Sequence, residues 1–467
     1  MATDPESVAT ETGEGSELRD PIEDKLTLKI DWHLIPCLTI MYPVAFLDRV
    51  NIGNAAVLGL KQELHIVDGV KYNTALTILF IPYILFEIPS NILVQKLRPH
   101  VWLSLCVFCF GVVTVCQGLV TTWAGLMTTR WFLGMFEAGI FPGSLYLLGM
   151  YYARHEAQRR FSFFFSAGTL AGAFGGLLAS GLGKMDGLCG YAGWRWVFII
   201  ESILTCVVAA GCFFVLPDFP EQATWLTDEE RRALQKKLSR DTSGIDSAPP
   251  VDWRFVLKTV TDPKIIIGGA MYFGQIVTAY GAEDFYGIHY CCISNIDLWK
   301  LPAIQTHLYS IPPWVSAFVF SMFTAWLSDK YRHRFAFAIL LMMISMAGFG
   351  ILLNVHGAAH RGIQHAALFL VTTGCYSAMP IIQVGFGNIG AIISTYSFRE
   401  KDKPGYRPGY SICVLFLAFS CISCLAYLLA VWRENRRRDR IVGGGQAGVT
   451  GNTETLEDLA TCVQYSY

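Results

Sequence analysis

Eleven long apolar segments recur along the chain, each close to the length of a bilayer-spanning helix, and they leave it no soluble fold. They fall at about 33–53, 72–94, 101–120, 124–147, 161–183, 194–216, 264–282, 305–328, 334–354, 364–397 and 409–432. A helix needs roughly 20 apolar residues to cross the hydrocarbon core. Inside that core only a helix or a closed barrel satisfies every backbone N–H and C=O, and unbroken runs of this length are helices rather than alternating strands. Composition agrees: 53% of the 467 residues are hydrophobic and 16% are charged, against about 25% charged in soluble domains. At roughly 20 residues per span the apolar content has room for about twelve spans. The expected fold class is an all-α polytopic membrane protein.

The polar intervals set the domain organisation. Residues 1–30 are read as a disordered tail, because 1–25 hold eight acidic side chains and almost no large apolar ones. They lack the basic-then-apolar pattern of a cleaved signal peptide, so the first apolar segment is expected to stay in the mature protein. A first bundle of six helices is expected over 31–216, a polar linker with a charged amphipathic helix near 227–239 over 217–262, a second bundle over 263–440, and a disordered tail over 441–467. Lys96 and Arg98, Arg154, Arg159 and Arg160, the linker, Lys330, Arg332 and Arg334, and finally Arg433, Arg436, Arg437, Arg438 and Arg440 recur on alternate loops. The positive-inside rule makes those faces, and both termini, cytoplasmic. The loop with Arg399, Lys401, Lys403 and Arg407 breaks the pattern.

Several function classes drop out. A net charge of −1 gives no footprint for nucleic acid. Most of the fourteen cysteines sit inside apolar runs as small packing residues, and the Cys106/Cys109 and Cys421/Cys424 spacings lack a second ligand pair for zinc. No metal or cofactor is expected. The chain shows no nucleophile motif or nucleotide loop, so an enzyme is not expected.

What remains is a set of charged side chains inside the spans, each costly unless it faces a cavity or a partner and therefore a functional candidate. The first span contains Asp48, Arg49 and Asn51. The fourth carries Arg130 and Glu137, seven residues apart and so on one helix face. Arg49 and Arg130 lie at similar depth, and two planar guanidinium groups suit a carboxylate. Asp48 and Glu137 are able to titrate and so to carry protons; pairing with Arg49 or Arg130 merely to neutralise charge is the alternative. Glu87, near Lys96 and Arg98, is read as a gate or helix cap. In the fifth span Gly168, Gly172 and Gly176 recur every fourth residue and allow close packing.

These features resemble the major facilitator superfamily, and within it the anion:cation symporter branch of the fungal allantoate, nicotinate and pantothenate permease type. The resembling stretches are FLDRVNIGNA (46–55), IPSNILVQKLRPHVW (88–102), RWFLGMFEAGIFPG (130–143), GWRWVFIIE (193–201), LPDFPEQATWLTDEE (216–230) and AWLSDKYRHR (325–334). The resemblance implies a major facilitator fold of two six-helix bundles, alternating access, and import of a small organic anion with protons by a multi-pass protein of the plasma membrane. It implies anion contact by Arg49 and Arg130, with Asn51 beside them, and proton coupling by Asp48 and Glu137. Asp329, Lys330 and Arg332 match the gating motif of the second half. The proton gradient is the energy source, and the partners are the anion, protons and the bilayer, with the protein expected as a monomer. The alternatives are an exporter or intracellular carrier of a secondary metabolite, and a non-transporting sensor or relic.

Two stretches depart from the pattern. Residues 281–300 no longer look like the outer half of a seventh span. Only 33 residues run from His365 to Ser397, where two spans alone need about 40. The region 364–397 is thus read as shortened. One continuous span there would send the C-terminal arginines to the wrong face, so two shortened or broken helices, or a gene sequence that has lost a segment, are expected instead.

Overall fold

A computed structural model describes residues 21–66, 69–241, 261, 263–295, 303–331, 334–355, 360–382, 388–398, 402 and 406–444. Among these every regular element is a helix. The first helix, α1, runs from Pro21 to Val57, followed by the short α2 (Leu60–Glu63). Next come α3 (Gly69–Thr77), α4 (Phe80–Lys96), α5 (Pro99–Leu119), α6 (Trp123–Glu137), α7 (Ile140–Tyr151), α8 (Arg154–Leu182) and α9 (Gly193–Val215). The polar helix α10 (Asp228–Asp241) precedes α11 (Pro263–Asn295), α12 (Ala303–Tyr331), α13 (Arg334–Asn354), α14 (Arg361–Ile382), α15 (Ile389–Ser397) and α16 (Arg407–Gly444).

Nine of the described helical segments are long and apolar enough to cross a membrane, six of them before residue 216. Their exterior is apolar: Leu105, Phe108 and Val112 on α5, Val207 and Phe214 on α9, and Leu415, Ile422 and Leu429 on α16 are all exposed. In water such a surface would drive aggregation, whereas lipid tails cover it at no cost.

Three sequence expectations are adjusted, and the shortened region takes the two-helix form among the expected alternatives. The tail expected to 30 ends earlier, because α1 starts at Pro21 and buries Leu26 and Ile30 one turn apart. At the other end α16 runs on to Gly444. The helix α11 continues through Asn295, so the unusual sequence after Gly281 keeps helical backbone. The shortened region 364–397 forms two helices, α14 of 22 residues and α15 of only nine; at 1.5 Å per residue, nine residues rise about 14 Å, half a bilayer core.

Spans two and four are each interrupted, between α3 and α4 at Ile78–Leu79 and between α6 and α7 at Ala138–Gly139. Both breaks lie four residues before a proline, Pro82 and Pro142, whose missing N–H leaves the carbonyl at that position without its helical partner. The two kinks pack together. A side chain at Gly134 would strike the carbonyl of Leu79, with the carbonyl carbon 2.9 Å from the added atom. We therefore expect Gly134→Ala to lower the melting temperature in detergent, at a cost of about 1–3 kcal/mol for overpacking; an unchanged melting curve would show that the seam is loose.

The glycine stripe on α8 is a seam for aromatic rings. A Cβ at Gly168 would lie 2.5 Å from the Tyr42 ring of α1, and one at Gly172 would lie 2.7 Å from the Trp314 ring of α12. Through Gly172–Trp314 and the 2.7 Å Ser166–Ser321 hydrogen bond, α8 joins the first-half helices to the second.

At the end of the bundle that carries Lys96 and Arg98, α10 is held to the first half. Thr227 and Glu230 cap it reciprocally, the Thr227 N–H donating to Glu230 at 2.9 Å and the Glu230 N–H to the Thr227 hydroxyl at 3.3 Å. Lys29 donates to Glu230 at 2.8 Å, Lys237 to Glu156 at 2.8 Å, and Trp225 stacks on His33 at 4.4 Å. The Lys29 ammonium and the Thr227 N–H hold the Glu230 carboxyl below the usual carboxylate range. This contact is therefore present at neutral pH and lost on strong acidification.

Candidate functional site

Between the two halves lies a cavity of about 280 Å³. Helical periodicity explains which side chains reach it. On α1, Tyr42, Ala45, Phe46 and Arg49 form an i, i+3, i+4, i+7 stripe along its wall. Tyr83, Glu87 and Asn91 recur every fourth residue on α4, and Tyr272, Ile276, Ala279 and Tyr280 form the facing stripe on α11. Glu137 enters at the kink between α6 and α7, which also contributes Ile140, Phe141 and Leu145.

Arg49 is the cationic centre of this wall. Its Nε donates to Glu137 and its Nη1 donates to the Tyr280 hydroxyl, so one guanidinium ties α1 to α6 in the first half and to α11 in the second. The Tyr83 ring lies 5.3 Å from the guanidinium carbon and the Tyr280 ring 5.6 Å, so aromatic faces flank the charge. Glu137 is 5% exposed, and its second oxygen, Oε2, has no hydrogen-bond partner among the described residues. Phe46, Phe141, Phe165, Tyr272 and Tyr376 line much of the remaining wall. Such a chamber offers one planar cation, the acid Glu137 paired with it, a second acid, Glu87, on the α4 wall, and flat apolar surfaces.

The other residues expected at the site are divided by the same periodicity. Asp48 precedes Arg49 by one residue, about 100° around the helix, and points away from the cavity, where Thr114 of α5 donates to it. Asn51 lies on the Asp48 face, is fully buried, and donates to Glu201 of α9. Arg130 is 2% exposed and acts electrostatically on Asp48 and Glu137. Its Nε and Nη2 have no hydrogen-bond partner among the described residues. Arg130 and Asn51, expected as anion contacts, are thus not brought to the cavity; they form a buried polar layer behind Arg49 and Glu137. Glu87, expected as a gate or cap near Lys96 and Arg98, instead lines the cavity with Asn91. Lys96 and Arg98 are exposed at the far end of α4 and the start of α5, and no ion pair joins them to Glu87 among the described residues. Lys330 is exposed, its ammonium 5.2 Å from the Trp326 ring. The side chain of Asp329 and all of Arg332 lie outside the described residues.

Sequence reasoning passed over two groups of residues. Tyr83, Tyr272 and Tyr280 stand in apolar runs and received no role, although Tyr83 lies one turn before Glu87 and two turns before Asn91, and Tyr272 and Tyr280 lie two turns apart on one face of α11. Glu201 and Arg195, both buried, belong to a quoted stretch but received no role. Arg195 holds Glu63 at 2.8 Å and the Gly118 carbonyl at 3.1 Å, closing the end of the bundle opposite Lys96.

The fold and the chamber together define a multi-pass membrane transporter. Residues 38–400 match the family model described as Major Facilitator Superfamily, and the chain belongs to that superfamily. It is 31% identical to the MFS-type transporter cnsO of Penicillium expansum over 93% of this chain and 88% of that one. It is 28% identical to the high-affinity nicotinic acid transporter of Saccharomyces cerevisiae, over 95% and 84% of the two chains. Among solved structures, a bacterial homolog of the human lysosomal transporter Spinster, inward-facing and unoccupied, superposes with a TM-score of 0.59. It covers 88% of this chain and 97% of its own at 14% identity, which is a likeness of fold.

Proposed function

We propose that this transporter imports a small organic anion together with protons, by alternating access, across the plasma membrane, with the Lys96/Arg98 end and both termini cytoplasmic. The observation that carries the reading is Arg49, held between Glu137 and Tyr280 in an aromatic-walled cavity. A carboxylate suits this site because a guanidinium fork offers parallel N–H donors to both oxygens. The cavity volume of about 280 Å³ stands at the lower end of ligand pockets, roughly 300–1,000 Å³, and so favours a small acid. The flanking rings favour a flat one. The nicotinic acid transporter among the relatives supports the same class.

Coupling follows from competition for one cation. While Glu137 is ionised it occupies the Nε edge of Arg49; a proton on Glu137 weakens that pair and frees the edge for the substrate carboxylate. Proton and anion then enter together, and the Arg49–Tyr280 contact senses both through the two halves. Lys96, Arg98, Asp329, Lys330 and Arg332 serve the gate at the cytoplasmic end, and Asp48 and Arg130 buffer the charge behind the site.

Uptake of labelled nicotinate, allantoate and pantothenate by cells expressing the chain tests this. Uptake of at least one is expected to rise several-fold from neutral to acid outside pH and to collapse with a proton uncoupler. Accumulation of a carboxylate that ignores both treatments would overturn the coupling, and efflux against the gradient would overturn the direction.

A further inference from the structure

We propose that Glu201, which lies outside the cavity, is a second proton-carrying carboxylate of the transport cycle, so that two protons enter with each anion. The proposal rests on the proton-coupled reading above and extends it to a residue in the buried layer behind Arg49.

The first argument is charge balance. The buried polar cluster of the first half contains three acids, Asp48, Glu137 and Glu201, which are 6%, 5% and 5% exposed, against two bases, Arg49 and the 2%-exposed Arg130. Glu137 is paired with Arg49, and Asp48 is opposed by Arg130 and receives the Thr114 hydroxyl. Glu201 is the acid left over. From α1 it faces the neutral amide of Asn51 and the like charge of Asp48. The helices α5 and α8, which also pack against α9, bring no charged partner to Glu201 among the described residues. An uncompensated carboxylate in such a place costs many kcal/mol, whereas the same group carrying a proton is neutral and donates one O–H. The cluster as a whole is neutral when it holds one proton, and the position without a cation is Glu201.

The second argument is hydrogen-bond geometry. Asn51 donates to one oxygen of Glu201, and the other, Oε1, is buried with no partner among the described residues. Unpartnered buried polar atoms recur through the same cluster: Nε and Nη2 of Arg130, Oε2 of Glu137, and both amide atoms of Gln117, one turn along α5 from Thr114. Native interiors rarely leave so many groups unmade. Grouped around three acids they mark a chain of sites for protons and water between Glu137 at the cavity and Glu201 behind it.

The charge count has a direct consequence. With one proton on Glu137, import of a monocarboxylate is electroneutral; with a second on Glu201 it carries one positive charge inward and responds to membrane potential. Two measurements test this on the full-length protein. Infrared difference spectra of the purified protein, which require no substrate, are expected to show the C=O stretch of a buried protonated carboxyl group. The band should vanish in Glu201→Gln, shift in Asn51→Ala, and persist in Glu137→Gln. A band that survives Glu201→Gln overturns the proposal, and so does its absence from the parent protein. In proteoliposomes with labelled nicotinate, an inside-negative potential is expected to stimulate the parent several-fold and Glu201→Gln not at all, while a pH gradient still drives both. Potential-dependent uptake that persists in Glu201→Gln makes Glu201 a structural acid only and overturns its role in coupling. If the parent itself ignores the pH gradient, the proton-coupled reading fails, which is a separate result from loss of the Glu201 signal.

Discussion

Arg49→Ala is expected to abolish carboxylate uptake, with a loss on the order of 100-fold or more in transport efficiency. Arg49 is the cation on the cavity wall and makes two contacts at once, to Glu137 within its own half and to Tyr280 across the cavity. Truncating one partner of a buried ion pair costs about 3–5 kcal/mol, and every 1.4 kcal/mol is a factor of ten. The substrate contact would go with it. Part of that cost falls on the fold, because Glu137 is left buried without its cation. The double variant Arg49→Ala/Glu137→Ala separates the two effects: it restores charge balance, so its melting temperature in detergent should recover towards the parent value while uptake stays absent. Arg49→Lys keeps the charge but not the planar fork, so it should retain folding and lose most uptake. Uptake at the parental rate in Arg49→Ala would remove Arg49 from the site.

These residues were legible because charge is rare inside spans. Asp48, Arg49, Arg130 and Glu137 stand out against runs of leucine and phenylalanine; Asp48, Arg130 and Glu137 are buried, and Arg49 is half-buried on the cavity wall. Their partition was less legible, since matching depth suggested that Arg49 and Arg130 form one clamp. Depth along a helix fixes only one coordinate. The 100° step between neighbours turns Arg49 to the cavity and Asp48 to Thr114. The stripe Tyr42, Ala45, Phe46, Arg49 already encodes that choice in its spacing. Glu201 was as conspicuous as the others, a single acid in the most apolar span of the first half, but the base of its own span, Arg195, turns instead to Glu63 and the Gly118 carbonyl. Its partner, Asn51, lies 150 positions away. Contacts of that kind arise from helix packing, which local pattern does not contain.

The kinks illustrate the opposite case, in which local sequence decides something of functional consequence. Pro82 and Pro142 interrupt spans two and four by removing a donor, and the second break places Glu137 at the cavity edge rather than within a continuous helical wall. The shortened region was also legible, from the shortage of residues between His365 and Ser397. What could not be read was the short α15 placed beside span two, where Thr74 and Tyr396 meet at 3.4 Å.

Glu137→Gln is expected to separate binding from accumulation. Glutamine has the shape of the protonated acid but no charge, so it mimics the state in which Arg49 is free for the substrate. If Glu137 competes with the anion for the Nε edge of Arg49, removing that competitor should tighten anion binding several-fold. It should also flatten the dependence of affinity on pH. The same variant has no proton to release from this position, so concentrative uptake driven by a pH gradient should fall well below the parent level, with only the Glu201 proton left to couple, while exchange of internal for external substrate continues. Both readouts come from one proteoliposome preparation, counterflow for exchange and gradient-driven uptake for coupling. Weaker binding in Glu137→Gln would mean that Glu137 supports the anion site instead of competing for it. Intact accumulation would mean that Glu137 carries no coupling proton, with Asp48→Asn as the next variant to measure, because Asp48 faces Arg130 from the layer behind.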